Sequence, residues 1–100
     1  MNAIIENNKL SIDKLCKENR VEKLYVFGSI LNESFNENSD IDFIVDIRNE
    51  NPSDYTDNYF NLQFGFEDLF KRDIDLLTLN SLKNPYFIKN LERTRRLIYG

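Results

Sequence analysis

Apolar residues change their period several times along the chain, and each change marks an element. Between residues 8 and 19, Leu10, Ile12, Leu15 and Cys16 recur among lysines and aspartates as a partial helical stripe, predicting an amphipathic first helix that ends at Asn19 and Arg20. Lys23 to Phe27 reads as a buried strand that stops at Gly28. Ser29 then opens a short polar, helical segment in which Ile30 and Leu31 still pack inward, and residues 32 to 38 form a polar loop rich in turn residues. Asp40 to Ile47 alternates polar with apolar positions apart from Ile44 and predicts a second strand. Arg48 to Ser53, with Pro52, is a break, and Ser53 is the candidate N-cap of a long helix. Asp54 and Asp57 sit in its first turn, where the helix dipole favours them, and Tyr55, Tyr59, Leu62, Phe66, Leu69 and Phe70 follow at helical spacing as a core face. Lys71 and Arg72 suit its negative end, and Asp73 to Leu79 predicts a third strand. Asn84-Pro85 marks the start of a last helix carrying Tyr86, Phe87, Ile88 and Leu91, and Leu97 to Tyr99 adds a short edge strand.

Strands and helices in this order predict an α/β (α+β) chain with a small mixed sheet and helices packed mainly on one face. The 100 residues, 41% hydrophobic and 13% aromatic, suffice for one modest core, so residues 1–100 are expected to form a single domain. Apolar runs are only a few residues long and the start lacks a basic-then-apolar export pattern, so a cytoplasmic protein without a membrane helix is expected. Cys16 stands alone and can form no internal disulfide; packing on the first helix is its expected role.

The chemistry concentrates between residues 24 and 46. On an alternating strand Asp40 and Asp42 project to one face, roughly 6.6 Å apart, while Ile41, Phe43, Val45 and Ile47 take the other. Two like charges so close raise each other's pKa and call for a compensating cation, for which a hard, oxygen-seeking ion such as Mg²⁺ is the natural choice. A strand-to-helix turn at Gly28 and Ser29 lets a phosphate approach backbone N–H groups, with the serine hydroxyl as a further donor. Metal-binding carboxylates beside a phosphate cradle point to nucleotide chemistry, provided that the two strands are neighbours. Asp75 lies on the third strand with Asp73, Leu77 and Leu79 on its face, an ionisable group aimed the same way as leucines. Asp73 reads as a surface residue, Asp46 as a solvated or ion-paired charge, and the aromatic residues of the long helix as core. The patch Arg93 to Arg96 is of a kind that can contact a phosphate or an acidic partner surface, although clustered surface charges usually do neither.

Histidine is absent, which excludes a Ser-His-Asp triad, a Cys-His dyad and His-containing zinc sites, and leaves acid–base work to carboxylates. The net charge of −4 argues against long nucleic acid as a partner, whereas a mononucleotide brought in with Mg²⁺ has its charge met by the ion.

Phe27-Gly28-Ser29 followed by Ser39-Asp40-Ile41-Asp42 is similar to the Gly-Ser, ten-residue spacer, Asp-x-Asp motif of the minimal nucleotidyltransferases, MNT or MntA-like proteins of the DNA polymerase β superfamily. Arg72-Asp73-Ile74-Asp75-Leu76 resembles their third-aspartate strand, and Arg96 to Gly100 resembles the close of such domains, so the likeness spans nearly the whole chain. It implies a polymerase-β-like nucleotidyltransferase fold in which Asp40, Asp42 and Asp75 hold two Mg²⁺ ions and Asp75 activates the attacking hydroxyl. Gly28 and Ser29, with Ser39 ahead of the first aspartate, are the implied nucleotide-binding residues. The implied reaction moves a nucleoside monophosphate, commonly AMP from ATP but in principle from another nucleoside triphosphate, to an acceptor hydroxyl with loss of pyrophosphate. The implied partner is a HEPN-type toxin that the chain silences as its antitoxin, and a second subunit, identical or different, is expected to close the shallow site. The family's turn continues Gly-Ser-x-Ala-Arg-Gly, and here Ile30, Leu31, Asn32 and Glu33 occupy those last four positions. That departure sustains an alternative, a catalytically weak or inactive antitoxin that neutralises its partner by direct contact.

Overall fold

The acidic strand is one of the two inner strands of a four-stranded sheet. The computed structural model describes residues 2–48 and 50–100, and places β1 (Val21–Phe27), β2 (Ile41–Ile47), β3 (Ile74–Thr78) and β4 (Arg96–Tyr99) in the order β3-β2-β1-β4. β2 runs antiparallel to β1 and parallel to β3, and β4 closes the far edge antiparallel to β1. The parallel pair requires a crossover, which α3 (Pro52–Phe70) supplies. α1 (Ala3–Asn7), α2 (Lys9–Glu18) and α4 (Pro85–Thr94) complete the helices. This is the mixed sheet expected, and the edge strand at the C-terminus lies where the apolar pattern puts it.

One face of the sheet carries the core. Leu24 and Val26 from β1, Phe43 and Val45 from β2 and Leu76 from β3 are buried with Ile12 and Cys16 of α2 and Leu62, Phe66 and Phe70 of α3. Phe43 and Phe66 stack at 4.7 Å between ring centroids, and Phe70 tilts against both at 6.1 Å. Gly65 admits the close approach of α2 to α3, since a Cβ there would stand 2.7 Å from Leu15 Cδ2. Phe66→Ala leaves a hole in this aromatic stack, and an urea titration is expected to show a loss of about 3–5 kcal/mol of stability. Burial pushes the Cys16 thiol up to about 12, with Asp13 adding to the effect, so Cys16 packs and does not react.

Several element boundaries differ from the sequence-based expectation. The helix expected over residues 8 to 19 is α2, capped by Asn8 and Asn19, but it is not the first: the short α1, whose Ile5 is fully buried, precedes it. Leu10 is 87% exposed and lies outside the expected stripe, whose inward members are Ile12, Leu15 and Cys16. α3 starts earlier than Ser53: Asn51 is its cap, accepting from the Ser53 N–H at 3.0 Å, and Pro52 occupies its first turn. Lys71 ends α3 in the left-handed conformation, φ 54°, donating its N–H to the Glu67 carbonyl. β3 stops at Thr78, and Leu79 opens a single helical turn instead of continuing the strand.

The sheet's second face is not bare. Ile44 of β2 is fully buried there with Leu91 of α4, while Phe87 meets the Phe27 ring edge-on at 6.5 Å and Arg95 lies 4.1 Å over Tyr25. α4 therefore covers part of the face that bears the aspartates, opposite the main helical layer. Among the described residues no helix is long and apolar enough to cross a membrane.

Candidate active site

Register brings the acidic residues to the glycine turn. Phe27 is the cross-strand partner of Asp42 in the antiparallel pair, and Asp42 is in turn the partner of Asp75 in the parallel pair. Cross-strand partners point to the same face, so Asp42 and Asp75 rise side by side next to the end of β1. Gly28 follows Phe27 with φ +75°, and a Cβ on it would stand 2.3 Å from Asp42 Oδ2. Only glycine tolerates both the backbone and the carboxylate resting against it. The helical turn Gly28–Leu31 is pinned from below by Ile30, which is buried in the core, while Ser29 remains partly accessible.

Asp40 precedes β2 and is exposed. The loop that delivers it is braced by its own polar side chains: Asn36 N–H donates to Ser39 Oγ at 3.0 Å, and Asn38 N–H donates to Asn36 Oδ1 at 2.8 Å. Arg72, three residues ahead of Asp75, clamps the same loop from the turn between α3 and β3. One guanidinium nitrogen donates to the carbonyls of Asn36 at 3.0 Å and Ser39 at 2.9 Å, and the group lies 4.7 Å over the Phe35 ring. Ile41 N–H also donates to the Asp73 carbonyl at 3.3 Å. The approach to Asp40 is thus tied to the approach to Asp75. Asp73 itself is exposed and lies outside β3, and Asp46 is half-buried opposite Lys23 with no ion pair among the described residues.

The carboxylates interact electrically. Asp42 is pushed up from 3.8 to about 6, first by burial and then by the charges of Asp75 and Asp40. The placement of Asp75 beside leucines, puzzling in the sequence, resolves here: Ile74 and Leu76 are its core neighbours, whereas Asp75 is exposed on the opposite face with the half-buried Leu77. Tyr59 reaches across from α3 to donate to the Leu76 carbonyl at 2.6 Å, and its hydroxyl is raised by burial and then by Asp75. Tyr59 and Phe66 belong to the packing of α3 on the sheet, as their spacing predicts.

These oxygen donors suit a hard divalent cation, which would relieve the repulsion that raises Asp42. Among the described residues no three acidic side chains stand as a closed ligand set. Asp42 is the member held in place, against Gly28, while Asp40 and Asp75 are exposed at its sides. The pH response has a definite sign. With its pKa raised on folding, Asp42 retains in the folded chain a proton that the unfolded chain has already lost, throughout the window from 3.8 to about 6. Without a divalent ion, its contribution to stability therefore rises as pH falls through that window. A cation binds the ionised form, so Mg²⁺ affinity should fall below pH 6, by up to about tenfold per pH unit, in calorimetric titrations at different pH.

A cavity of about 820 Å³ adjoins the turn, with Gly28, Ser29 and Asn32 on one side and Asn90, Arg93 and Arg96 on the other. The aspartates are not in its wall; Gly28, which touches Asp42, is the shared boundary. Arg72 and the facing arginines are what residue-by-residue reading did not place, and the one available signal was the cluster at 93–96.

A strand-end glycine turn thus abuts paired aspartates on a mixed sheet. The chain belongs to the polymerase beta nucleotidyltransferase family, whose model matches residues 10–100. Two proteins of Methanocaldococcus jannaschii, both named as candidate protein adenylyltransferases, are 37% and 36% identical over 87 residues, covering 86% of this chain and 84% of theirs. Among solved structures, one described as a minimal nucleotidyltransferase superposes with a TM-score of 0.78 at 20% identity, covering 96% of this chain and 95% of that one. A toxin–antitoxin complex with AMP-PNP matches with a TM-score of 0.70 at 24% identity, over 93% of this chain and 73% of that one. A third is a tri-AMPylated Shewanella oneidensis HEPN toxin with an MNT antitoxin, TM-score 0.64 and 21% identity, over 95% of this chain and 71% of that one. At these identities the likeness shows the fold, which is that of the resemblance read from the sequence.

Proposed function

We propose that this nucleotidyltransferase is a Mg²⁺-dependent protein adenylyltransferase acting as an antitoxin, moving AMP from ATP to a hydroxyl on a HEPN-type partner protein. The observation that carries the reading is the cross-strand pairing of Asp42 with Asp75 directly beside Gly28. The names of the M. jannaschii relatives support protein as acceptor, and the structures with AMP-PNP and with an AMPylated HEPN toxin support ATP and such a partner. Residues 1–100 act as one catalytic domain in this reading, working in the cytoplasm.

Asp40, Asp42 and Asp75 would hold the divalent ions, which supply charge neutralisation at the phosphates and acidify the acceptor hydroxyl. Gly28 and Ser29 receive the triphosphate against the exposed edge of the turn. The acceptor oxygen attacks the α-phosphorus, the bond to the α–β bridging oxygen breaks, and pyrophosphate departs with that electron pair. Asp75, the exposed member of the pair, takes the hydroxyl proton. Ser39 braces the loop by accepting from the Asn36 N–H, and its own O–H stays available to donate to the nucleotide.

The test uses ATP labelled at either the α- or the γ-phosphorus, with Mg²⁺ and a purified HEPN-type partner protein. α-Label should appear on the partner and γ-label should not, and chelating the metal should stop the transfer. If the partner is silenced with neither label attached, the chain neutralises by contact, and Asn32 and Glu33 mark a turn that has lost catalysis.

A further inference from the structure

The three arginines near the C-terminus, alike in the sequence, do different things. Arg95 turns onto the Tyr25 ring, whereas Arg93 and Arg96 enter the wall of the cavity beside the Gly28 turn. We infer that Arg93 and Arg96 form the subsite for the β- and γ-phosphates of the nucleotide, replacing the cation missing from the turn. The inference rests on the reading that a nucleoside triphosphate occupies Gly28 and Ser29, and names what holds its tail.

Charge singles out this wall. It contains two arginines and neither an aspartate, a glutamate nor a lysine, in a chain whose net charge is −4. Neither guanidinium is in an ion pair among the described residues. Arg93 donates once, to Asn90 Oδ1 at 2.9 Å, and Arg96 makes a 3.4 Å contact with the Thr94 carbonyl. Each guanidinium has five N–H donors, so most remain free to bond a ligand that enters the cavity. Glu33, which would repel a phosphate, is exposed and outside the cavity wall.

Geometry gives the order of the phosphates. The phosphorus that reacts must lie by Asp42, which rests against Gly28, and the remaining phosphates then extend past Ser29 into the cavity opposite Arg93 and Arg96. Planar forks of this kind match phosphate oxygens with charge-assisted hydrogen bonds. The same contacts stay with pyrophosphate as it leaves and its charge grows.

Calorimetric titration with Mg²⁺-ATP and with AMP separates the possibilities. Arg93→Ala and Arg96→Ala should each weaken ATP by about tenfold, AMP by less than about twofold, and Arg→Lys should recover part of the loss. Raising salt should narrow the difference between parent and variants. Arg93 lies at the exposed end of α4, so Arg93→Ala carries the test even if Arg96→Ala perturbs β4. ATP binding by both variants at parental affinity would overturn the subsite while leaving the nucleotide site intact. Failure of the parent to bind Mg²⁺-ATP at all would overturn the underlying reading as well.

Discussion

Asp42→Asn is expected to reduce AMP transfer by at least about a thousandfold, several kcal/mol of transition-state stabilisation, while leaving the fold as stable as the parent or more so at neutral pH. The two halves of this result follow from one fact. Asp42 is raised to about 6 because burial, Asp75 and Asp40 all penalise its charge. The amide keeps the shape and removes that penalty, so thermal melts without divalent ion should show no loss. It also removes the carboxylate most firmly placed to hold a metal. A residue of purely structural importance would show the reverse, a destabilised chain with activity lost in proportion to unfolding.

The second large effect is expected from a single methyl group. Gly28→Ala meets two obstacles: φ is +75°, where a side chain costs about 1–2 kcal/mol, and the new Cβ would stand 2.3 Å from Asp42 Oδ2. The carboxylate must swing away or the turn must open, and either separates the phosphate cradle from the acidic pair. A drop in transfer of about a hundredfold is expected, with a modest fall in melting temperature, because small misplacements at a reacting centre are costly. Measuring both quantities on one preparation distinguishes displacement of the site from collapse of the fold, since the new Cβ would meet Asp42, whereas Phe43 and Phe66 stack in the core on the other face of the sheet.

Much of the site was legible because strands have a simple period. Asp42 shows its outward face through Ile41, Phe43 and Val45, and Gly28 shows as the end of an apolar run. That Asp75 stands opposite Asp42 was not legible from periodicity, since the register of a parallel pair is set by the crossover through α3. It came from the resemblance instead. The misplaced start of α3 was avoidable: Asn51-Pro52 is the same cap-and-proline signal as Asn84-Pro85, which did locate α4. α1 escaped notice because five residues are too few to display a stripe. Leu10 is hydrophobic enough to join the stripe by composition, but its helical angle sets it away from Ile12 and Cys16. Arg72 and the arginines facing the cavity act across 33 or more positions of chain, beyond the reach of any local pattern.

The direct measurement of the central claim is a titration with Mn²⁺ in the presence of ATP, followed by paramagnetic broadening of backbone amide signals. The account predicts that the amides of Gly28, Asp42 and Asp75 broaden first and together, and that Asp42→Asn abolishes the effect. Broadening spread evenly over surface acids such as Asp54 and Asp57, with Asp42 and Asp75 spared, would contradict it.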